Sequence, residues 1–199
     1  MKRIFSSLAL TLSFVFISAC GNKAMEVTYN VRPAAALKNF TVLLQVSDQR
    51  HIKDLVGPAA KAQGLFQELG GGRFDLKINM PNGAKITMTG LNVEEAVREA
   101  VTRKLQTQGV AVAGQRAQAH LTMEIDIDQM AIDVENGDLT ARISLTSRIF
   151  RDQTAVSKSQ AGAAANRIKL IGGAGGATVL SDALSQAINE LDLSGINNF

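Results

Sequence analysis

The stretch HLTMEIDIDQMAIDVENGDLTARISLTSRIF, residues 120–150, constrains the fold more than any other part of the chain. Leu121, Met123, Ile125 and Ile127 are apolar at odd positions, then Met130, Ile132 and Val134 are apolar at even ones. Side chains on a strand alternate between faces, so a strand with one buried face cannot change phase unless one residue is extra. The pattern therefore predicts a β-bulge at Asp128-Gln129. The pair Asn136-Gly137 between two such runs is a strong hairpin signal. A two-residue turn there sets Val134 opposite Leu139, Ile132 opposite Ala141 and Met130 opposite Ile143. Past one bulged residue, Ile127 meets Leu145 and Met123 meets Ile149. On the other face the same register sets Glu124 opposite Arg148, an opposite-charge cross-strand pair.

Around this hairpin the chain carries further strand and helix signals. EVTYNVRP (26–33) reads as a short strand ended by Pro33, and FTVLLQVSDQR (40–50) as a stronger one closing in a polar cluster. Residues 51–73 read as a loop, with a short helix near 65–69. RFDLKINM (73–80) alternates Phe74, Leu76, Ile78 and Met80, PNGA turns the chain, and KITMTG (85–90) returns it. LNVEEAVREAVTRKLQTQG (91–109) is the clearest helix: Asn92 and Glu95 form a capping box and Gly109 follows the last turn. Val93, Ala96, Val97, Ala100, Val101 and Leu105 make its apolar stripe. Arg103 and Lys104 sit where the macrodipole of their own helix favours cations. Residues 153–167 suggest a third strand of small residues, and VLSDALSQAINELDL (179–193) a second amphipathic helix. These elements predict an α+β domain, a mainly antiparallel sheet with two amphipathic helices packed on one face.

The amino-terminal residues speak to location. Lys2 and Arg3 precede an apolar run to Ile17, then Ser18, Ala19 and Cys20, the only cysteine. A basic start, a short apolar core and small residues before a cut are the layout of a secretory signal. The run is shorter than the roughly 20 residues of a membrane span. Ile17-Ser18-Ala19-Cys20 resembles the lipobox of bacterial lipoproteins, which implies cleavage before Cys20 and its lipidation. Gly21, where Asp would favour the inner membrane in the sorting pattern of enteric bacteria, implies the outer membrane by the same resemblance. The expected organisation is a signal peptide at 1–19, a lipidated tether at 20–25 and a single periplasmic α+β domain at 26–199.

The remaining composition narrows function mainly by exclusion. Of the 21 basic and 18 acidic residues, Lys2 and Arg3 belong to the leader, so the rest are near balance and argue against nucleic acid. The chain has no Trp and one Tyr, which leaves few stacking platforms. With a single cysteine no internal disulfide can form, and stability must come from a core.

The order of the pieces is similar to the YajG family of outer-membrane lipoproteins. The likeness rests on the strand ending Ser47-Asp48-Gln49-Arg50, the run KITMTGLNVEEAVREAVTRKLQTQGVAV, the hairpin at Asn136-Gly137 and the helix TVLSDALSQAINEL, and covers roughly residues 40–199. It implies a lipid-anchored periplasmic domain and brings no reaction.

Candidate chemistry is sparse. Glu124, Asp126 and Asp128 share a strand face and could hold Ca²⁺ or act as an acid–base pair, but Arg142 and Arg148 on the neighbouring strand make a solvated, charge-paired face the stronger reading. GGAGGAT (172–178) precedes a helix yet lacks the Gly-Lys-Ser/Thr ending of a phosphate loop. His51 and His120 stand far apart with no ligand set beside them. No serine lies in a nucleophile elbow. The polar cluster Asp48, Gln49 and Arg50 is a candidate partner or ligand surface. The chain is thus expected to be no enzyme, with no cofactor or metal, joined to the membrane through Cys20 and to an unknown envelope protein. The alternative is a carrier or accessory for a lipid or other apolar molecule.

Overall fold

A computed structural model describes residues 23–37, 40–64, 69–168 and 175–196. The signal and Cys20 lie outside the described residues, as do positions 65–68 and 169–174, the latter taking in the start of the glycine-rich stretch. Eight strands and three α-helices follow in the order β1 (Lys23–Asn30), β2 (Thr41–Asp48), α1 (Pro58–Ala62), β3 (Leu69–Asn79), β4 (Lys85–Leu91), α2 (Val93–Thr107), β5 (Ala111–Ala113), β6 (Leu121–Glu135), β7 (Asp138–Arg151), β8 (Thr154–Ile168) and α3 (Gly176–Glu190). β1 begins inside the stretch read as tether because Met25, Val27 and Tyr29 already enter the core. A helical turn does form ahead of 65–69, at Pro58, where proline at the first helical position loses no needed N–H.

The hairpin takes the register the sequence predicts. Val134, Ile132 and Met130 face Leu139, Ala141 and Ile143, the register shifts between Ile127 and Gln129, and Glu124 then faces Arg148. Asn136 and Gly137 have φ of 52° and 90°, the left-handed pair that a type I′ turn requires. The PNGA connection closes a wider loop, with the Met80 amide donating to the Ala84 carbonyl and Asn79 opposite Lys85.

The sheets correct the mainly antiparallel expectation. One has the order β1-β3-β4, the other β5-β2-β6-β7-β8. β1–β3, β2–β5 and β2–β6 are parallel; β3–β4, β6–β7 and β7–β8 are antiparallel. Parallel neighbours need a crossover rather than a turn, and the segments between β1 and β3 and between β2 and β6 supply them. Both helices pack on the larger sheet, and each is shared with the smaller one. α2 packs on β2 and β5 of the larger sheet and on β3 and β4 of the smaller, while α3 packs on β7 and β8 of the larger and on β1 of the smaller. Two sheets share two helices around one apolar cluster, to which Phe74, Leu76, Val97, Leu105, Ile125, Ile132, Leu180 and Leu184 contribute.

Small residues let α3 approach the sheet. Ala161 and Ala163 of β8 are buried on its core side, opposite Leu145 and Ile143 of β7. The free edge of β1 is closed by α3 side chains spaced one turn apart. The amides of Thr28 and Asn30 donate to the Ser181 and Ser185 hydroxyls at 2.8 and 3.0 Å. Asn189 accepts from the Arg32 amide at 3.1 Å and donates to the Asn30 carbonyl at 2.8 Å. At the end of α3, the buried Lys104 ammonium of α2 donates to the carbonyls of Ile188, Asn189 and Leu191 at 2.9, 2.9 and 2.6 Å. The cation expected to serve its own helix therefore closes another. Burial pushes Lys104 down to about 8, opposed by nearby Asp192.

Candidate functional site

The bulge at Asp128 builds the site. β2 pairs with β6 only as far as Ile127, so β6 beyond the bulge has lost its strand neighbour. The chain leaving β2 takes over that edge. The Arg50 guanidinium donates to the Met130 carbonyl at 3.0 Å. The Ile132 amide donates to the Leu55 carbonyl and the Gly57 amide to the Ile132 carbonyl, both at 2.7 Å. Asp133 accepts from the Ala60 amide at 2.8 Å, in the first turn of α1. A Cβ on Gly57 would lie 2.2 Å from Asp133 Cγ, so any other residue at that crossing must push the Asp133 side chain aside.

Residues 50–61 thus rise as a wall beside the outer face of the upper hairpin, and a cleft of about 630 Å³ opens between them. Ile52, Val56 and Pro58 line the wall; Ala131, Thr140 and Ser144 line the floor. Ile52 is 71% exposed, an apolar side chain at the mouth. The charges around the cleft are partnered. Lys61 pairs with Asp54 and Arg142 with Glu135, and each cation holds its carboxylate below the usual range. Asp128 accepts from the Thr146 hydroxyl at 2.7 Å.

The predicted cluster sits at the base of the wall. Arg50 is 6% exposed and grips Asp48 with two side-chain bonds of 2.9 and 2.8 Å. That pairing, with help from Lys53, holds the Asp48 carboxyl at about 2. The Asp48 amide donates to Glu94 of α2 at 2.8 Å. Gln49 is exposed, its amide bonded to the Ile127 carbonyl. Of the three, Arg50 lines the cleft, while Asp48 lies by a smaller hollow near Asn92 and Glu94.

The other candidates have structural partners. Arg148 bonds Glu124 at 3.3 Å and Asp126 at 2.6 Å, and Ser47 donates to Asp126 at 2.7 Å, so the carboxylate face is the charge-paired one. His120 Nδ1 accepts from the Thr41 amide at 3.0 Å, and its ring meets Phe40 edge-on. His51 lines the cleft. Among the described residues no three His, Cys, Asp or Glu side chains gather as a metal-holding group, and no helix is long and apolar enough to cross a membrane. Sequence reading missed the wall. Its signal was Ile52, an apolar residue stranded within the charged run 50–54.

No protein-family model matches the chain, and no curated protein matches it. Solved structures do match in fold. The crystal structure of protein XCC0632 from Xanthomonas campestris is 18% identical with a TM-score of 0.54, over 87% of this chain and 94% of that one. Protein CT253 from Chlamydia trachomatis is 9% identical with a TM-score of 0.45, over 79% and 93%. The lipoprotein GNA1162 from Neisseria meningitidis is 12% identical with a TM-score of 0.32, over 76% and 99%. The first shares the architecture across nearly its whole length; the resemblance to the YajG family stays a resemblance.

Proposed function

We propose that the chain is a lipoprotein anchored at Cys20, facing the periplasm from the outer membrane, and that it binds another envelope component in the cleft without catalysing a reaction. The observation that carries this reading is the cleft itself. Its volume falls in the range of about 300–1,000 Å³ typical of ligand sites, its wall presents the apolar Ile52, Val56 and Pro58, and its rim charges are already paired. Such a surface favours an uncharged, apolar part of a partner, because an added charge would compete with existing pairs and lose water. The occupant that fits best is a segment of an envelope protein. The exposed Ile52 supports it, since covering that side chain with a partner would remove its apolar surface from water. The second reading, a carrier for a lipid or other apolar molecule, is supported by the same apolar wall.

Two experiments test this. A photoreactive residue in place of Ile52, activated in intact cells, is expected to capture one defined protein, and Ile52→Glu to lose the associated phenotype. Capture of lipid alone would select the carrier reading, and capture of nothing would reject the cleft as a site. Palmitate labelling and fractionation of wild type against Cys20→Ala test the anchor. Label in the outer membrane, lost in the variant, is expected; a soluble unlabelled wild type would overturn it.

A further inference from the structure

Granted the anchor proposed at Cys20, we infer that the end of the domain carrying the β6–β7 turn and Ile168 rests on the surface of the bilayer that holds the anchor.

Chain length sets the distance. Only Gly21 and Asn22 separate Cys20 from the start of β1 at Lys23, a reach of about 11 Å at most. Whatever stands level with Lys23 is therefore held close to the headgroups. β1 and α3 run side by side in one direction, since Thr28 and Asn30 meet Ser181 and Ser185 in turn. From Thr28 back to Lys23 the strand spans about 17 Å. From Ser181 back to Gly176 the helix spans about 7.5 Å. β1 thus begins about 10 Å beyond the start of α3. That helix starts against β7, where a Cβ on Gly175 would lie 3.2 Å from Leu139 Cδ1. The turn at Asn136-Gly137 projects past Leu139 by about 7–10 Å, so the turn and Lys23 end at a similar height. A second path leads to the same end. Met25 faces Phe74 and Phe74 faces Leu91, just before α2, whose Glu94 accepts from the Asp48 amide at the close of β2.

The surface presented at this end suits lipid. Ile168 faces Asp138 across the β7–β8 ladder, next to the turn. It is 79% exposed, the more exposed of the two large apolar side chains left open among the described residues. The turn itself is uncharged, and the neighbouring Glu135 and Arg167 are held in pairs with Arg142 and Asp182. A tethered aliphatic side chain loses its exposed surface on entering the headgroup boundary. Asp138 keeps the contact shallow, because a carboxylate taken into hydrocarbon is costly. Ile52 stands further back, between Arg50, which bonds Met130, and Leu55, which bonds Ile132. The cleft therefore opens above the lipid surface rather than into it, and a partner reaches it along the membrane.

The test uses the lipidated chain, purified from membranes and returned to vesicles of phosphatidylethanolamine and phosphatidylglycerol with a nitroxide on the headgroup. A fluorophore is attached at Asn166→Cys or, as the distal control, at Thr154→Cys. Both positions are exposed on β8, about 40 Å apart along the strand. Quenching is expected to be strong at 166 and weak at 154. Adding Ile168→Asn is expected to weaken the docked orientation about tenfold, read as quenching at 166 falling toward that at 154. Equal quenching at the two positions, in palmitate-labelled protein that stays with the vesicles, would overturn the inference and leave the anchor standing. So would quenching at 166 that Ile168→Asn leaves unchanged. Protein that takes no palmitate and leaves the vesicles would overturn the anchor, and the docked end with it.

Discussion

Two strands of this protein lose their neighbours, and they are closed in different ways. β1 is sealed by the side chains of a helix: Ser181, Ser185 and Asn189 stand in for a missing strand. Upper β6 is sealed by main chain, as the segment after β2 bends across at Leu55 and Gly57 and is pinned by Arg50 and Asp133. The helix fills the space beside β1 and leaves no room. The bent segment touches β6 at a few points and stands away from the hairpin face, leaving the cleft. How an edge is sealed thus decides whether a site can exist beside it.

This contrast can be broken from either side. The largest effect is expected at the end of α3. Lys104→Met keeps the volume but removes the donor to the buried Leu191 carbonyl and leaves the Ile188 carbonyl only the Leu191 amide, which should cost about 3 kcal/mol in denaturant unfolding. Loss of under about 1 kcal/mol would mean that water replaces the ammonium. Arg50→Met strikes the other seal, leaving the Met130 carbonyl and the Asp48 carboxylate short of a donor, and should cost about 2 kcal/mol. It should also remove a pH dependence. Asp48 titrates at about 2 when folded and near 3.9 when unfolded. Its contribution is therefore full above about pH 4 and lost as pH falls toward 2. Acid unfolding of wild type should include that step, and Arg50→Met should lack it. A retained step would place the shift with the residue 50 amide and Lys53 instead.

Smaller changes sharpen the comparison. Asn189→Ala removes its bonds to β1 and should cost about 1.5 kcal/mol. Tyr29, the only tyrosine, donates to Asn189 at 3.2 Å, so its near-ultraviolet signal should change with the substitution. Gly57→Ala forces Asp133 aside and should cost about 1 kcal/mol overall, with faster hydrogen exchange at the Ala60 and Ile132 amides. Unchanged exchange there would show that the wall does not depend on that crossing.

The sequence disclosed what is local. The register of β6 and β7 follows from alternation, one phase change and an Asn-Gly turn, all within some thirty residues, and the α2 cap from Asn92 and Glu95. The parallel pairs were hidden because no turn links β1 to β3 or β2 to β6 and sets their register. Lys104 does lie in the last turn of its own helix, but its reach to the end of α3 was hidden, although it lies four residues after Ala100 and three after Val101, on the buried stripe. The spacing Ser181, Ser185, Asn189 likewise traces one line on α3, which can mark a polar surface bound to a strand edge as well as a solvated one. For the site, Arg50 and Asp48 were visible as a polar cluster. The cleft beside them was not, since it depends on where the bulge strips β6 of its neighbour.

The double bonding of β1 has a mechanical consequence. A chain pulled through the residues before Lys23 would load β1 along its own length. Its ladder to β3 and its bonds to Ser181, Ser185 and Asn189 lie across that direction. They would be strained together in shear rather than opened one after another. The last helix would thus share the tension on the first strand, and the domain would resist being drawn apart by a pull on that end.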